Sequence, residues 1–131
     1  MTKYFLMTSL CFATIAATSV AHGQDSPARV ELKRTDLTGT QETEVISSIS
    51  EYQPGDELPR HSHHGVEMLY VVQGAMIQFP GKDPAMLSTG TALMNLRDVP
   101  HAGFKIVGDK SLKLFTVHVV DKGKPLYEMV K

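Results

Sequence analysis

The chain has little of several things that would each dictate an answer. It has 131 residues and one cysteine, Cys11, with no tryptophan. A lone cysteine excludes a disulfide framework and a cysteine metal knuckle. Neither sign of charge dominates: Lys plus Arg is 13, Asp plus Glu is 14, and the net charge is −1. That balance excludes the basic surface by which proteins capture nucleic acid through its phosphates. Proline and glycine number 7 and 10, which is ordinary usage, so collagen-like and low-complexity chains are excluded. Apolar residues make up 42%, enough for one core and too many for a disordered chain.

The only long uncharged run lies at the start. Lys3 is followed by Tyr4 to Ala17, which is apolar and small-residue rich. It is short for a membrane span and is the pattern of a secretory signal peptide over residues 1–23. Ser19-Val20-Ala21 and Ala21-His22-Gly23 both suit cleavage. Cys11 lies inside the run behind Leu10, which does not suit a lipoprotein anchor. The expectation is a secreted or periplasmic protein with no cysteine in the mature chain and no membrane partner after cleavage. Residues 24–29 form a polar tail with Pro27, expected to be flexible.

From Val30 onward, short β-like runs alternate with turn residues. They cover Val30–Leu37, Thr43–Tyr52, Val66–Val72, Ala75–Phe79, Ala85–Leu87, Thr91–Leu96, Ala102–Val107 and Leu112–Val120. Gln73-Gly74 between two runs predicts a tight hairpin. No window carries a helical apolar period. Many short strands with close turns predict an all-β, antiparallel single domain, residues 30–131, closed as a sandwich or barrel with room for a pocket at one mouth.

The chemistry lies in Gly55-Asp-Glu-Leu-Pro-Arg-His61-Ser-His63-His64-Gly-Val-Glu67. His61 and His63 are two apart and share one face of an extended strand. Glu67 is an even step further on and joins them, whereas His64 has the opposite parity and points outward. Two imidazoles and a carboxylate on one face are a transition-metal donor set. His101, behind Pro100, supplies a plausible fourth donor. The expected cofactor is one divalent transition metal held by His61, His63, Glu67 and His101. Its retention falls with pH through the imidazole range, because only neutral imidazole binds a metal. Met68, Tyr70 and Val72 share the other face of that strand, which predicts burial on both sides. Met68, Met76, Met86 and Met94 are read as core or barrel lining. Tyr70 is read as packing, Arg60 as a solvated loop end, and His118 as a half-buried strand histidine bonded to backbone or water. Ser62 and Asp98 offer no Ser-His-Asp argument, since nothing in the sequence places them together.

These residues resemble the cupin superfamily. Its first motif is Gly, five residues, His-x-His, three residues, Glu, six residues, Gly, and Gly55, His61, His63, Glu67 and Gly74 fill it. Gly90 and His101 stand at the separation of the second motif, where Leu96, Asp98 and Lys105 replace its Pro, Gly and Asn. The resemblance implies a double-stranded β-helix (a cupin, or jelly-roll, barrel), often a homodimer. It implies iron, manganese, nickel, zinc or copper on those four side chains. Across the family it implies no single reaction. The function expected is metal-assisted chemistry on a small organic molecule, dioxygenase-like in the first instance. The alternatives are a non-enzymatic binding module for a small ligand or metal, and a metal-dependent isomerase or lyase.

Overall fold

A computed structural model describes residues 26–130. The signal-peptide reading of residues 1–23, with Cys11, lies outside them. The described residues contain eleven strands and no helix: β1 (Arg29–Asp36), β2 (Thr43–Tyr52), β3 (Glu57–Leu58), β4 (His61–Ser62), β5 (Gly65–Gln73), β6 (Ala75–Gln78), β7 (Ala85–Leu87), β8 (Ala92–Asn95), β9 (Phe104–Val107), β10 (Leu112–Asp121) and β11 (Glu128–Met129). Every pairing is antiparallel. A five-stranded sheet runs β1-β2-β10-β5-β8, a four-stranded sheet runs β3-β9-β6-β7, and β11 pairs with β4. Arg29 opens β1 from within the stretch read as a tail, and Ser26–Ala28 are tied down by bonds to Arg29 and Glu51.

Inward positions of the large sheet change character along each strand. On β10, Leu112 and Leu114 are apolar, Thr116 and His118 polar, and Val120 apolar again, and all five are buried. On β2, Tyr52 gives way to Ser50 and Ser48 and then to Ile46. The larger core joins Tyr52, Val71, Leu112 and Leu114 to Leu58, Ala75, Ile77 and Ile106 of the smaller sheet. A second cluster of Ile46, Val120, Leu126 and Tyr127 closes the other end. Each buried aliphatic side chain contributes about 1.5–3 kcal/mol, so two apolar plugs hold a polar belt between them.

Three sequence expectations change here. Gln73-Gly74 is a corner and not a hairpin: β5 pairs with β10 and β8, while β6 pairs with β9 and β7. The chain turns from one sheet to the other at Gly74, whose amide donates to Thr89 Oγ1 at 2.8 Å. The backbone of 87–89 lies so close that a Cβ on Gly74 would stand 2.4 Å from the Leu87 carbonyl oxygen. The outer face of β5 is not buried. Met68, Tyr70 and Val72 are 48%, 48% and 42% exposed, and Met86 and Met94 are also exposed instead of filling the core. The sheet is covered on one side only, and register places Met94 beside Met68 on the open side. An apolar strip of this kind is what protein contacts cover. His118 is the third change and belongs to the site below.

Gly74→Ala is expected to lower stability by about 1–3 kcal/mol, the usual cost of forcing atoms into a packed position. Urea unfolding followed by circular dichroism measures it; an unchanged midpoint would show that the corner relaxes freely.

Candidate metal centre

The donors arrive from four separate pieces of chain. β4 delivers His61, and the link to β5 delivers His63. The inward parity of β5 delivers Glu67. His101 is carried by an isolated bridge to His61, with backbone hydrogen bonds in both directions at 2.9 and 3.1 Å. The loop leading to His101 lacks the motif's glycine, yet it keeps the left-handed turn: Asp98 takes φ 58° and Ala102 φ 59°. Aspartate tolerates this region better than most residues. His64, with its opposite parity, is half-exposed beside Asp98 and Glu128.

His61, His63 and Glu67 are buried, and His101 is mostly so. His63 Nε2 lies 3.2 Å from His101 Nε2. Glu67 Oε2 stands 3.3 Å from each of those two nitrogens. His61 joins them, its donor atom within 4.8 Å of those of His63 and His101. Each of these rings is braced at the far side. His61 Nδ1 donates to the Pro59 carbonyl at 2.7 Å, His101 Nδ1 to the Val99 carbonyl at 3.0 Å, and His63 Nδ1 to the Leu126 carbonyl. A carbonyl only accepts, so Nδ1 carries a proton, and each ring in its neutral form turns a bare Nε2 lone pair inward. Backbone bracing of this kind orients imidazoles on metals.

Bare lone pairs at 3.2 Å repel unless a metal ion or a shared proton lies between them. Two donors at right angles, each about 2.1 Å from one ion, stand about 3 Å apart. The spacing and chemistry of His63, Glu67 and His101 therefore fit a divalent ion, and His61 groups with the two imidazoles of that set.

Protonation follows from the same geometry. Burial acts to raise the Glu67 pKa, but contacts with His101, His118 and His63 outweigh it and hold the carboxyl well below its ordinary range. Burial lowers His61 to about 4, which keeps that ring neutral at pH 7. For His101, burial is outweighed by Glu67 and the Val99 carbonyl, and its pKa rises.

Sequence reasoning did not place three neighbours in the site: Asn95 and Tyr127 were not singled out, and His118 was read as a half-buried strand histidine. Asn95 donates from Nδ2 to Glu67 Oε2 at 2.7 Å and is its register partner on β8. His118 is its partner on β10. His118 is fully buried, not half-buried. Its Nε2 is 3.3 Å from Glu67 Oε1, off-line for a hydrogen bond, and its Nδ1 has no partner among the described residues. Burial lowers its pKa. The parity that put Thr116 and His118 on one face of β10 was legible; their depth was not, because depth depends on the opposite sheet. The third neighbour is Tyr127, whose ring packs on His61 and His63 at centroid distances of 4.6 and 5.2 Å. Its approach is long-range and leaves no local sequence signal.

Beside the donors lies a cavity of about 330 Å³, within the range of small-molecule sites. Leu69, Ile77, Leu93, Phe79 and Phe104 form its apolar wall, and His61, Glu67 and His101 are at its edge. No lysine or arginine is among its described lining residues. Of the other candidates, Arg60 lines a separate outer groove, Tyr70 points to solvent, and Ser62 and Asp98 remain without a triad.

The family model for the cupin domain matches residues 48–118. The chain belongs to the cupin family. Among solved structures, this cupin is similar to an uncharacterized conserved protein with a double-stranded β-helix domain from Klebsiella pneumoniae (16% identity, TM-score 0.54, covering 84% of this chain and 91% of that one). It is similar to the polyketide cyclase RemF from Streptomyces resistomycificus (20%, TM-score 0.50, 70% and 74%). It also matches a structure of DMSP lyases (21%, TM-score 0.50, 66% of this chain), of which it spans 44% of the length. Identities this low establish the fold alone. Comparison with curated proteins gave no match.

His61→Ala and His63→Ala are each expected to lower bound metal at least tenfold in the purified cupin, and His64→Ala to leave it unchanged. Elemental analysis after dialysis against a weak chelator reads the result; equal losses in all three would refute the parity assignment.

Proposed function

We propose that this cupin holds one divalent transition metal on His61, His63, Glu67 and His101 and acts on a small organic molecule in the adjoining cavity, with dioxygenase-like oxidation as the leading reaction. One observation supports the proposal: three imidazoles braced by carbonyls cluster beside a buried carboxylate, with His63 and His101 Nε2 each 3.3 Å from Glu67 Oε2. When bound, iron, manganese, nickel, zinc or copper would supply Lewis acidity and, for the redox-active ions, electrons for dioxygen chemistry. The chain supplies the rest. Leu69, Leu93, Phe79 and Phe104 give the reacting end an apolar wall, and Tyr127 packs on the His61 and His63 rings. Without a lining lysine or arginine, the cavity favours an uncharged substrate over a free carboxylate or phosphate.

Lyase or isomerase chemistry is the second reading. It is favoured by Tyr52 and Tyr127, which line the cavity and carry hydroxyls able to move a proton. Export before function is part of the proposal and rests on the pattern of residues 1–23; sequencing of the secreted product is expected to begin at His22 or Gln24.

The deciding experiment loads the full chain with each ion and follows oxygen uptake with neutral phenols, diketones and thiols. Uptake in proportion to bound metal, lost in Glu67→Ala, is the expected result. Proton exchange at substrate carbon in deuterated water without oxygen uptake would replace it with the second reading. Thermal stabilisation by a compound recovered unchanged would make the protein a binding module.

A further inference from the structure

The strip on β5 is part of a larger apolar face. Register lines up the outward side chains of the five-stranded sheet in cross-strand rows. Val30, Ile49, Phe115, Tyr70 and Ala92 form one row from β1 to β8. The next runs through Val117 and Met68 to Met94, and its β1 end holds Lys33, the one charge in these rows. In a third, Val45, Val119 and Val66 sit side by side. All of these side chains are partly or fully exposed. Charged pairs stand beyond the rows at both ends. Glu51 and Lys113 close one end at 3.2 Å, and Asp121 with Arg97 and Asp36 with Lys122 close the other. An uncharged centre inside a charged rim is the anatomy of a protein interface.

We propose that a second copy of this chain covers the face, the two large sheets packing through the same residues about a two-fold axis. The size of the face supports this occupant. Strands lie about 4.8 Å apart and same-face residues about 6.8 Å apart along each, so the rows span roughly 450 Å² of sheet plane before side-chain relief is added. That is near the most a monomer leaves bare, and with relief it reaches the roughly 500 Å² per partner at which specific interfaces begin. Charge supports it too. Each end of the rows carries both signs, so an identical partner need not set like charge against like along an edge. The strand order β1-β2-β10-β5-β8 puts β10 in the middle. Val117 therefore lies at the centre of the contact and Lys33 at its margin, where the amine stays in water. The contact also secures β8, an edge strand whose opposite side gives Leu93 to the cavity and Asn95 to Glu67. Nothing in this rests on an ion at Glu67.

Sedimentation equilibrium of the full chain across about 1–100 µM tests the proposal. A monomer–dimer equilibrium is expected. Met68→Glu and Met94→Glu each place a carboxylate on the face and should raise the dissociation constant at least about tenfold. Met86→Glu, equally exposed but on the smaller sheet, should leave it unchanged; Met94 and Met86 are 59% and 57% exposed. A second readout needs no variant to fold. A soluble gadolinium agent broadens the methyl signals of methionines it can reach, and in the concentrated parent it should broaden Met86 and spare Met68 and Met94. A parent that stays monomeric throughout would overturn the proposal. So would a dimer that survives both face variants, or equal broadening of all three methyl signals. A monomer that instead binds uncharged lipid vesicles through Met68 and Met94 would assign the face to a membrane and overturn it as well.

Discussion

Burying Glu67 is the constraint on which the rest of the molecule turns. An ionised carboxylate taken out of water costs several kcal/mol unless donors or a cation replace the lost hydration. The strand that carries it could have placed an aliphatic residue there, as it does at Val71, and gained stability instead. The barrel answers with an amide from Asn95 on one neighbouring strand, and the other neighbouring strand sets the His118 ring 3.3 Å from the second oxygen. His63 and His101 come from outside the sheet. In their neutral forms those last two do not donate to it, because the ring proton of each is committed to a carbonyl on the far side. A positive charge among these donors, a metal ion or a proton on an imidazole, offsets the carboxylate, and the cluster is one that could hold a metal.

Much of this was legible in the sequence, and for identifiable reasons. The even spacing of His61, His63 and Glu67 is a property of extended chain, so it survives the short irregular link at His63-His64. The eight longer strands were read close to their observed limits because each is bounded by turn residues. Two-residue strands such as Glu57–Leu58 and Glu128–Met129 were not, since they are too short to carry a period. The corner at Gly74 and the open face of β5 were misread for one shared reason. Period-2 alternation says which residues lie on the same face, but it does not say whether another layer covers that face or which strand is the neighbour. His118 and Asn95 became visible as site residues only once register put them opposite Glu67.

The second motif shows how a fold keeps a geometry after losing the residues that make it easy. Asp98 holds a positive φ where the family has glycine, and Gly103 follows with the same sign. His101 still reaches the cluster because its backbone is tied to that of His61 on both sides. Position is set there by pairing and not by turn chemistry, which is why His101 lies beside His63 and Glu67 although the motif around it is degenerate.

The most direct test of the central claim is a crystal of the metal-soaked protein measured at the absorption edge of the added ion. The account predicts one strong anomalous peak per chain, within about 2.0–2.2 Å of Nε2 of His61, His63 and His101 and of Oε2 of Glu67. A peak beside surface His64 with none at Glu67, or a fully loaded soak that leaves the four donors bare, would contradict it.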